Sequence, residues 1–487
     1  MKNLFAIFSI LVLSCSLSNA QSWGNVGSAG FSAGLVTFTS MTFDATNTPY
    51  IAYKDGYSGN KATVKKFDGA SWVNVGSASF SAGAVDYTSL AIDGNNTPYI
   101  AFRDDANSSK ATVMKFDGTN WVIVGTSGFS ASTANYTSIA IYNNLPYVAY
   151  QDITNGSKAS VKMFDGTNWV TVGALGFSAG TAYNECIAID ASTGTPYVTY
   201  MDAANGFKTT CMKFDGTNWV LVGSAGFTPS YGDYANIKIY GSTPYVVFQD
   251  GANSYKASCK YFNGTTWVQV GTAGFSNAQA DFTTLAITSS GTLYVAFKDY
   301  TTNPSRATCM TYNGSSWVLV GTAGFSNNAF NINLSLSNSG TPYVAFSDWG
   351  NSQKATVMSY TAPPTLTTTS ISNIYAATAS GGGNVTSDGG ASVTARGVIY
   401  GTSSNPELSA SSTTSSNGTG TGSFTSSLSG LNPNTLYYVK AYARNSSGTT
   451  LGSQVSFTTI PTLPEWGLIV MGVLFAGFGG WYVIRRM

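Results

Sequence analysis

The sequence predicts an all-β chain: a seven-bladed β-propeller of four-stranded blades closed by its N-terminal strand, then a β-sandwich, then one transmembrane helix. Three observations carry this. Trp23, Trp72, Trp121, Trp169, Trp219, Trp267 and Trp317 recur 48 to 50 residues apart, each opening W-x-x-V-G and each followed eight residues later by Phe. A period of that size marks a repeat architecture built from one supersecondary unit. Six Asp-Gly or Asn-Gly turns separate seven tryptophan strands, and the period stops near Pro364, where composition shifts to Ser, Thr and Gly.

The elements follow in order. Lys2, the apolar run Leu4 to Leu13 and the small-residue site Ser18-Asn19-Ala20 read as a secretory signal peptide over residues 1–20, cut before Gln21. Cys15, after Val12-Leu13-Ser14, offers lipidation as the alternative. Each repeat then holds a Trp strand and three further strands; in the second unit these are Tyr87 to Ile92, Pro98 to Arg103 and Lys110 to Phe116, rich in β-branched and aromatic residues. Asp68-Gly69, Asp117-Gly118, Asp165-Gly166, Asp215-Gly216, Asn263-Gly264 and Asn313-Gly314 supply the positive φ of tight hairpins before six of the Trp strands. Trp23 has no hairpin before it, and Lys354 to Tyr360 has no Trp strand after it. Trp23's strand is therefore expected to complete the seventh blade and close a ring over residues 21–361. A linear solenoid would need capping repeats that the sequence does not contain.

With the Trp strand outermost, the Gly-Phe-Ser loops and the loops between the second and third strands share one face. That face carries one acid-base pair per blade: Asp55 and Lys61, Asp104 and Lys110, Asp152 and Lys158, Asp202 and Lys208, Asp250 and Lys256, Asp299 and Arg306, Asp348 and Lys354. Each Asp is expected to cap its loop and to pair across the hairpin with its Lys. A functional site on a repeat scaffold breaks the repeat, so the departures are the candidates. They are Glu185, the only Glu in the repeat region; Arg103 beside Asp104-Asp105; Asp86, Asp233 and Asp281, positioned to rim a central channel; and the loop aromatics Tyr57 and Trp349. The repeated Trp and Tyr read as core between blades. Cys211, Cys259 and Cys309 hold the slot of Val64, Val113, Val161 and Val357, too far apart for disulfides, and read as small buried hydrophobes. Cys186 belongs to another strand.

Composition excludes several functions. Lys and Arg number 23 against 22 Asp and Glu, charged residues are 9% of the chain, and no basic footprint for nucleic acid exists. The absence of His removes Ser-His-Asp and Cys-His nucleophile systems and His-based metal sites. No cofactor, metal site or catalytic constellation is expected. A sialidase would need an arginine cluster and a glycosidase a pair of carboxylates, and the propeller offers no clustered arginines and one Glu.

After Pro364, the phrase Leu431-Asn432-Pro433-Asn434-Thr435-Leu436-Tyr437-Tyr438-Val439-Lys440-Ala441 alternates like a strand and resembles the late strands of fibronectin type III modules. The resemblance implies a sandwich over residues 364–459 with Tyr437 as its tyrosine corner, although the early-strand Trp of that family is missing. Gly381 to Gly383 and Ser412 to Gly422 are expected to be loops. Leu468 to Ile484 is apolar or small throughout and Arg485-Arg486 follows, which predicts a membrane helix over 468–484 with a cytoplasmic C-terminus. Ile460, Pro461, Thr462 and Leu463, with Trp466 and Gly467, resemble the IPTL-CTERM sorting signal over residues 460–487. That resemblance implies an exosortase-like membrane peptidase as partner and makes the tail at least a transient membrane anchor. The reading as a whole is an exported, surface-sorted, non-enzymatic adhesion or binding protein whose propeller meets an extracellular glycan or protein. The alternatives are a secreted glycoside hydrolase or lyase and a purely structural envelope component. A contiguous apolar patch on the loop face would separate binder from scaffold.

Overall fold

A computed structural model describes residues 22–409, 412–445 and 447–462. The described residues are all-β apart from single 3-10 turns, and they divide into two compact units, Trp23–Tyr360 and the chain from Thr361 on.

The first unit holds seven four-stranded antiparallel sheets. Their innermost strands are Val36–Phe43, Val85–Ile92, Ala134–Tyr142, Ala182–Ile189, Gly232–Tyr240, Ala280–Ile287 and Ala329–Leu336, numbered here as sheets 1 to 7. Each inner strand touches the next and the seventh touches the first, so the arrangement is a closed, propeller-like ring. Sheet 2 shows the pattern: Val85–Ile92, Pro98–Asp104, Lys110–Phe116 and Trp121–Ile123, the short Trp strand outermost. In sheet 7 the outermost place is taken by Ser22–Asn25, beside Lys354–Thr361, as the count of strands and turns requires.

The Trp ladder explains why the ring holds. Each indole lies over the Phe of the preceding loop and donates to a carbonyl of that segment: Trp72 stacks on Phe31 at 4.7 Å and bonds Val26 O at 2.7 Å. Trp23 repeats this across the closure, stacking on Phe325 at 3.9 Å and donating to Val320 O at 2.7 Å. A stacked pair contributes about 0.5–1.5 kcal/mol beyond its buried area. The closure is built like the other six junctions.

The acid-base crown differs from expectation. Asp55, Asp104, Asp152, Asp202, Asp250, Asp299 and Asp348 are buried, and none ion-pairs with the Lys or Arg opposite it; the three ion pairs among the described residues lie elsewhere. Asp202 shows the reason: its carboxylate accepts from Ala204 N–H at 3.1 Å, Thr210 Oγ1 at 2.8 Å and Asn205 Nδ2 at 2.8 Å. Thr210 Oγ1 in turn accepts from Gly226 N–H of the adjoining Gly-Phe loop at 2.8 Å. Three donors satisfy the charge internally, so the acid fastens two loops and the Lys is left on the surface. Cys211, Cys259 and Cys309 are buried free thiols whose pKa burial pushes far up, and Cys186 is also free.

The second unit contains a three-stranded sheet, Thr365–Thr368, Thr378–Ser387 and Gly422–Ser429, and a second sheet centred on Ala395–Gly401 and Leu436–Asn445. Tyr437 is buried and its hydroxyl accepts from Asn432 N–H at 2.9 Å. Gly381 to Gly383, expected as a loop, lie inside the strand Thr378–Ser387. A Cβ on Gly382 would collide with Phe424 O and one on Gly383 would meet Ala441 Cβ at 2.6 Å, so these glycines serve close packing rather than flexibility. The expected Ser412 to Gly422 loop contains the short strand Thr413–Thr414. No helix among the described residues is long and apolar enough to cross a membrane, and 468–484 lies outside them, as do the signal segment, Cys15 and the sorting residues from Leu463 on.

Candidate binding face

The loops entering the inner strands and the loops between second and third strands lie together on one face of the ring. Gly56 N–H donates to Leu35 O at 2.9 Å and Asp105 N–H to Ala84 O at 3.0 Å, with equivalents around the ring.

At the mouth of the ring the first residues of neighbouring sheets form a belt. Asp86 is held by Lys54 of sheet 1 at 2.6 Å and by Arg103, which also reaches Asn135 of sheet 3 at 3.1 Å and lies 3.6 Å from Asp105. Asp281 accepts from Gln249 at 2.6 Å, Gln279 at 2.9 Å and the Tyr300 hydroxyl at 2.7 Å. Asp233 accepts from Asn184 at 2.5 Å, the Tyr231 hydroxyl at 3.1 Å and Tyr234 N–H at 2.7 Å. The three aspartates do share one position at the start of an inner strand. Their carboxylates are occupied in joining sheets, and they do not converge as a free acidic site. Lys298 lies 3.2 Å from the Phe330 ring centroid, and burial lowers its pKa against the opposing pull of Asp281.

Every inner strand then turns through a left-handed residue: Phe38, Tyr87, Tyr136, Asn184, Tyr234, Phe282 and Asn331, with φ between 48° and 54°. The strand register slips at each of these points, as at a β-bulge, and the residues line a central cavity of about 270 Å³. Below them, hydroxyls stitch sheet to sheet; Thr137 Oγ1 donates to Tyr87 O at 2.5 Å and Thr283 Oγ1 to Tyr234 O at 2.7 Å.

On the same face, Tyr57 is 73% exposed and Trp349 is 48% exposed, each in a one-turn 3-10 helix. Trp349 lies 4.8 Å from Phe330 in ring-centroid distance, and Tyr57 has no ring partner among the described residues. The larger aromatic feature was not found from the sequence. Tyr183, Phe207, Tyr231 and Tyr255 follow one another across sheets 4 and 5 at 6.2, 6.5 and 6.2 Å, and Tyr183 continues to Tyr136 at 6.3 Å. Phe207 is 42% and Tyr255 48% exposed. Both occupy left-handed backbone, φ 59° and 60°, a conformation uncommon for bulky side chains. Their equivalents Asn60, Ser109, Ser157 and Gln353 are polar, and Tyr231 replaces Leu35, Ala84 and Thr133. An alignment of the seven repeats would have exposed these three departures.

Comparison with known proteins gives one family match: the IPTL-CTERM motif, over residues 458–486. It implies an exported, cell-surface protein recognised by an exosortase-like sorting protease. No curated protein matches the chain. Similar solved structures include an ulvan lyase of polysaccharide lyase family PL25, 11% identical, covering 69% of this chain and 94% of its own, TM-score 0.45. A Dyadobacter fermentans protein of unknown function is 12% identical over 60% of this chain and 98% of its own, TM-score 0.41. The SapL1 lectin, solved with alpha methyl fucoside, is 16% identical over 62% and 99%, TM-score 0.42. The expectation of a non-enzymatic chain is corrected here: a polysaccharide lyase stands among these neighbours beside a lectin, so enzyme status is open.

Proposed function

We propose that the chain is a seven-bladed β-propeller over residues 21–361, carried on a fibronectin type III-like spacer over 364–459 and held transiently at the membrane by its sorting tail. Its function is to bind an extracellular glycan on the aromatic ladder Tyr183–Phe207–Tyr231–Tyr255. The observation that carries this reading is the break in the repeat: three aromatics replace non-aromatic residues in two adjacent sheets, and two of them are held exposed on strained backbone. Core packing does not ask for exposed rings, and strain of this kind clusters at functional sites. Tyrosine and phenylalanine faces suit the apolar faces of sugar rings, while Asp233 and Asn184 at the ladder's inner end supply directional polar groups. Tyr57, Trp349, Asp86, Asp281, Arg103 and Asp105 belong to the surroundings of the same face.

The test is a screen of the full chain against immobilised glycans and matrix proteins, beside the variant Phe207→Ser/Tyr255→Ser. Retention of a glycan by the native chain and its loss by the variant supports the reading. Retention of matrix proteins alone, or equal glycan binding by both, overturns it.

A further inference from the structure

Glu185 stands at a position where the repeat uses a hydroxyl. Thr39, Thr88, Thr137 and Thr283 hold the same place in four other sheets, and each donates across to the carbonyl of the left-handed residue in the preceding sheet. Sheet 4 replaces the phrase Tyr-Thr-Ser with Asn184-Glu185-Cys186. Glu185 contributes to the wall of the central cavity, is 5% exposed, and neither carboxyl oxygen has a hydrogen-bond partner.

A buried carboxylate without partners is among the most unfavourable arrangements a core can hold. Burial raises the pKa of Glu185 well above its ordinary value, against a smaller opposing pull from its own backbone N–H. The titratable groups facing it from neighbouring strands are phenols, whose ionisation a charge at Glu185 would oppose: Tyr87 and Tyr136 from the inner strands of sheets 2 and 3, and Tyr200 from its own sheet. Tyr136, pushed up to about 12 chiefly by burial, also feels Asp233 and Tyr183. A neutral carboxylic acid is both a donor and an acceptor, the complement of an alcohol.

The cavity of about 270 Å³ is smaller than the roughly 300–1,000 Å³ typical of drug-sized sites and has room for about one sugar ring. Tyr136 in its wall lies 6.3 Å from Tyr183, the inner end of the aromatic ladder, and the rest of the wall includes hydroxyls, amides, aromatic rings, Ile332 and Cys186. We propose that the central cavity is a second subsite, which takes one neutral, hydroxyl-bearing sugar residue of the glycan lying on the ladder and reads it through the buried, unpartnered carboxyl of Glu185. This rests on the glycan reading of the ladder. It adds a deep, uncharged end to the site, so a glycan with a neutral terminal residue is preferred to one ending in a uronate or sulfate.

The test uses the full chain and the glycan retained in the screen above, with Glu185→Gln and Glu185→Thr. Threonine restores the residue of four other sheets and can form their cross-sheet bond, so this variant is expected to fold and to unfold at a higher temperature than the native chain. Glutamine keeps a neutral donor and acceptor. The expected result is affinity within about threefold of native for Glu185→Gln and a loss of tenfold or more for Glu185→Thr. Native affinity should also fall as pH rises through the Glu185 titration, while that of Glu185→Gln stays level. Binding that survives Glu185→Thr yet is lost in Phe207→Ser/Tyr255→Ser overturns the cavity subsite and leaves the ladder standing. A screen in which no glycan is retained overturns both.

Discussion

Just before the third strand, sheets 1, 2, 3 and 7 carry Asn60, Ser109, Ser157 and Gln353, while sheets 4 and 5 carry Phe207 and Tyr255, all with φ between 58° and 60°. The backbone is the same and only the side chain changes. Asn tolerates the left-handed region through its short polar side chain; an aromatic ring there gains nothing from the turn and faces solvent. The comparison teaches where this scaffold has room for function. Positions that obey the repeat are explained by the ring, and positions that break it in adjacent sheets need another cause.

The strongest way to break the comparison is at the ring itself. Trp23→Ala should cost about 3–5 kcal/mol, as large aromatic truncations do, and should match Trp121→Ala, because both indoles make the same stack and the same carbonyl bond. Denaturant unfolding of the two variants checks this; a negligible effect at Trp23 would mean that the N-terminal strand does not close the ring. Next in size, Asp202→Ala leaves three donors unsatisfied and should cost about 3 kcal/mol, whereas Lys208→Ala, which loses no ion pair, should change stability by less than about 0.5 kcal/mol.

The pH dependence sharpens the contrast at sheet 4. Burial raises the folded-state pKa of Glu185 well above its ordinary value of 4.5, so between the two values unfolding releases a proton. Native stability should therefore fall relative to Glu185→Gln as pH rises from about 5 toward the raised value, by at most about 1.4 kcal/mol per pH unit. Thermal unfolding of both proteins between pH 5 and 8 reads this directly, and parallel curves would show that Glu185 is charged in the fold. The smallest effect has the most telling sign: Phe207→Asn should stabilise the chain by about 0.5–1 kcal/mol, because it relieves left-handed strain at an exposed position. Calorimetry that finds it destabilising would return Phe207 to a structural role.

Much of the ring was legible because its devices are periodic. Tryptophan strands and Asp/Asn-Gly turns are chemical necessities of the same junction repeated, and counting them placed Trp23 beside Lys354. The aspartate crown was half legible. Sequence spacing brings Asp202 opposite Lys208, but it does not show that Thr210, Asn205 and a backbone N–H already satisfy the carboxylate. The candidate site was less legible still. Tyr87-Thr88-Ser89 reads as ordinary strand, and nothing in the letters reveals the left-handed bulge that turns Tyr87 toward the cavity. Likewise Gly381 to Gly383 reads as a loop until Phe424 and Ala441 are seen packed against it. Glu185 stood out as the sole Glu of the repeats, but its burial and its missing partners are facts of packing.

The most direct measurement is the glycan affinity of the full chain and of Phe207→Asn/Tyr255→Asn, which gives sheets 4 and 5 the residue of sheet 1 at that position. With the ring intact and thermal stability equal to or above native, affinity should fall tenfold or more. Undiminished affinity in a correctly folded variant would contradict the assignment of binding to the departures from the repeat.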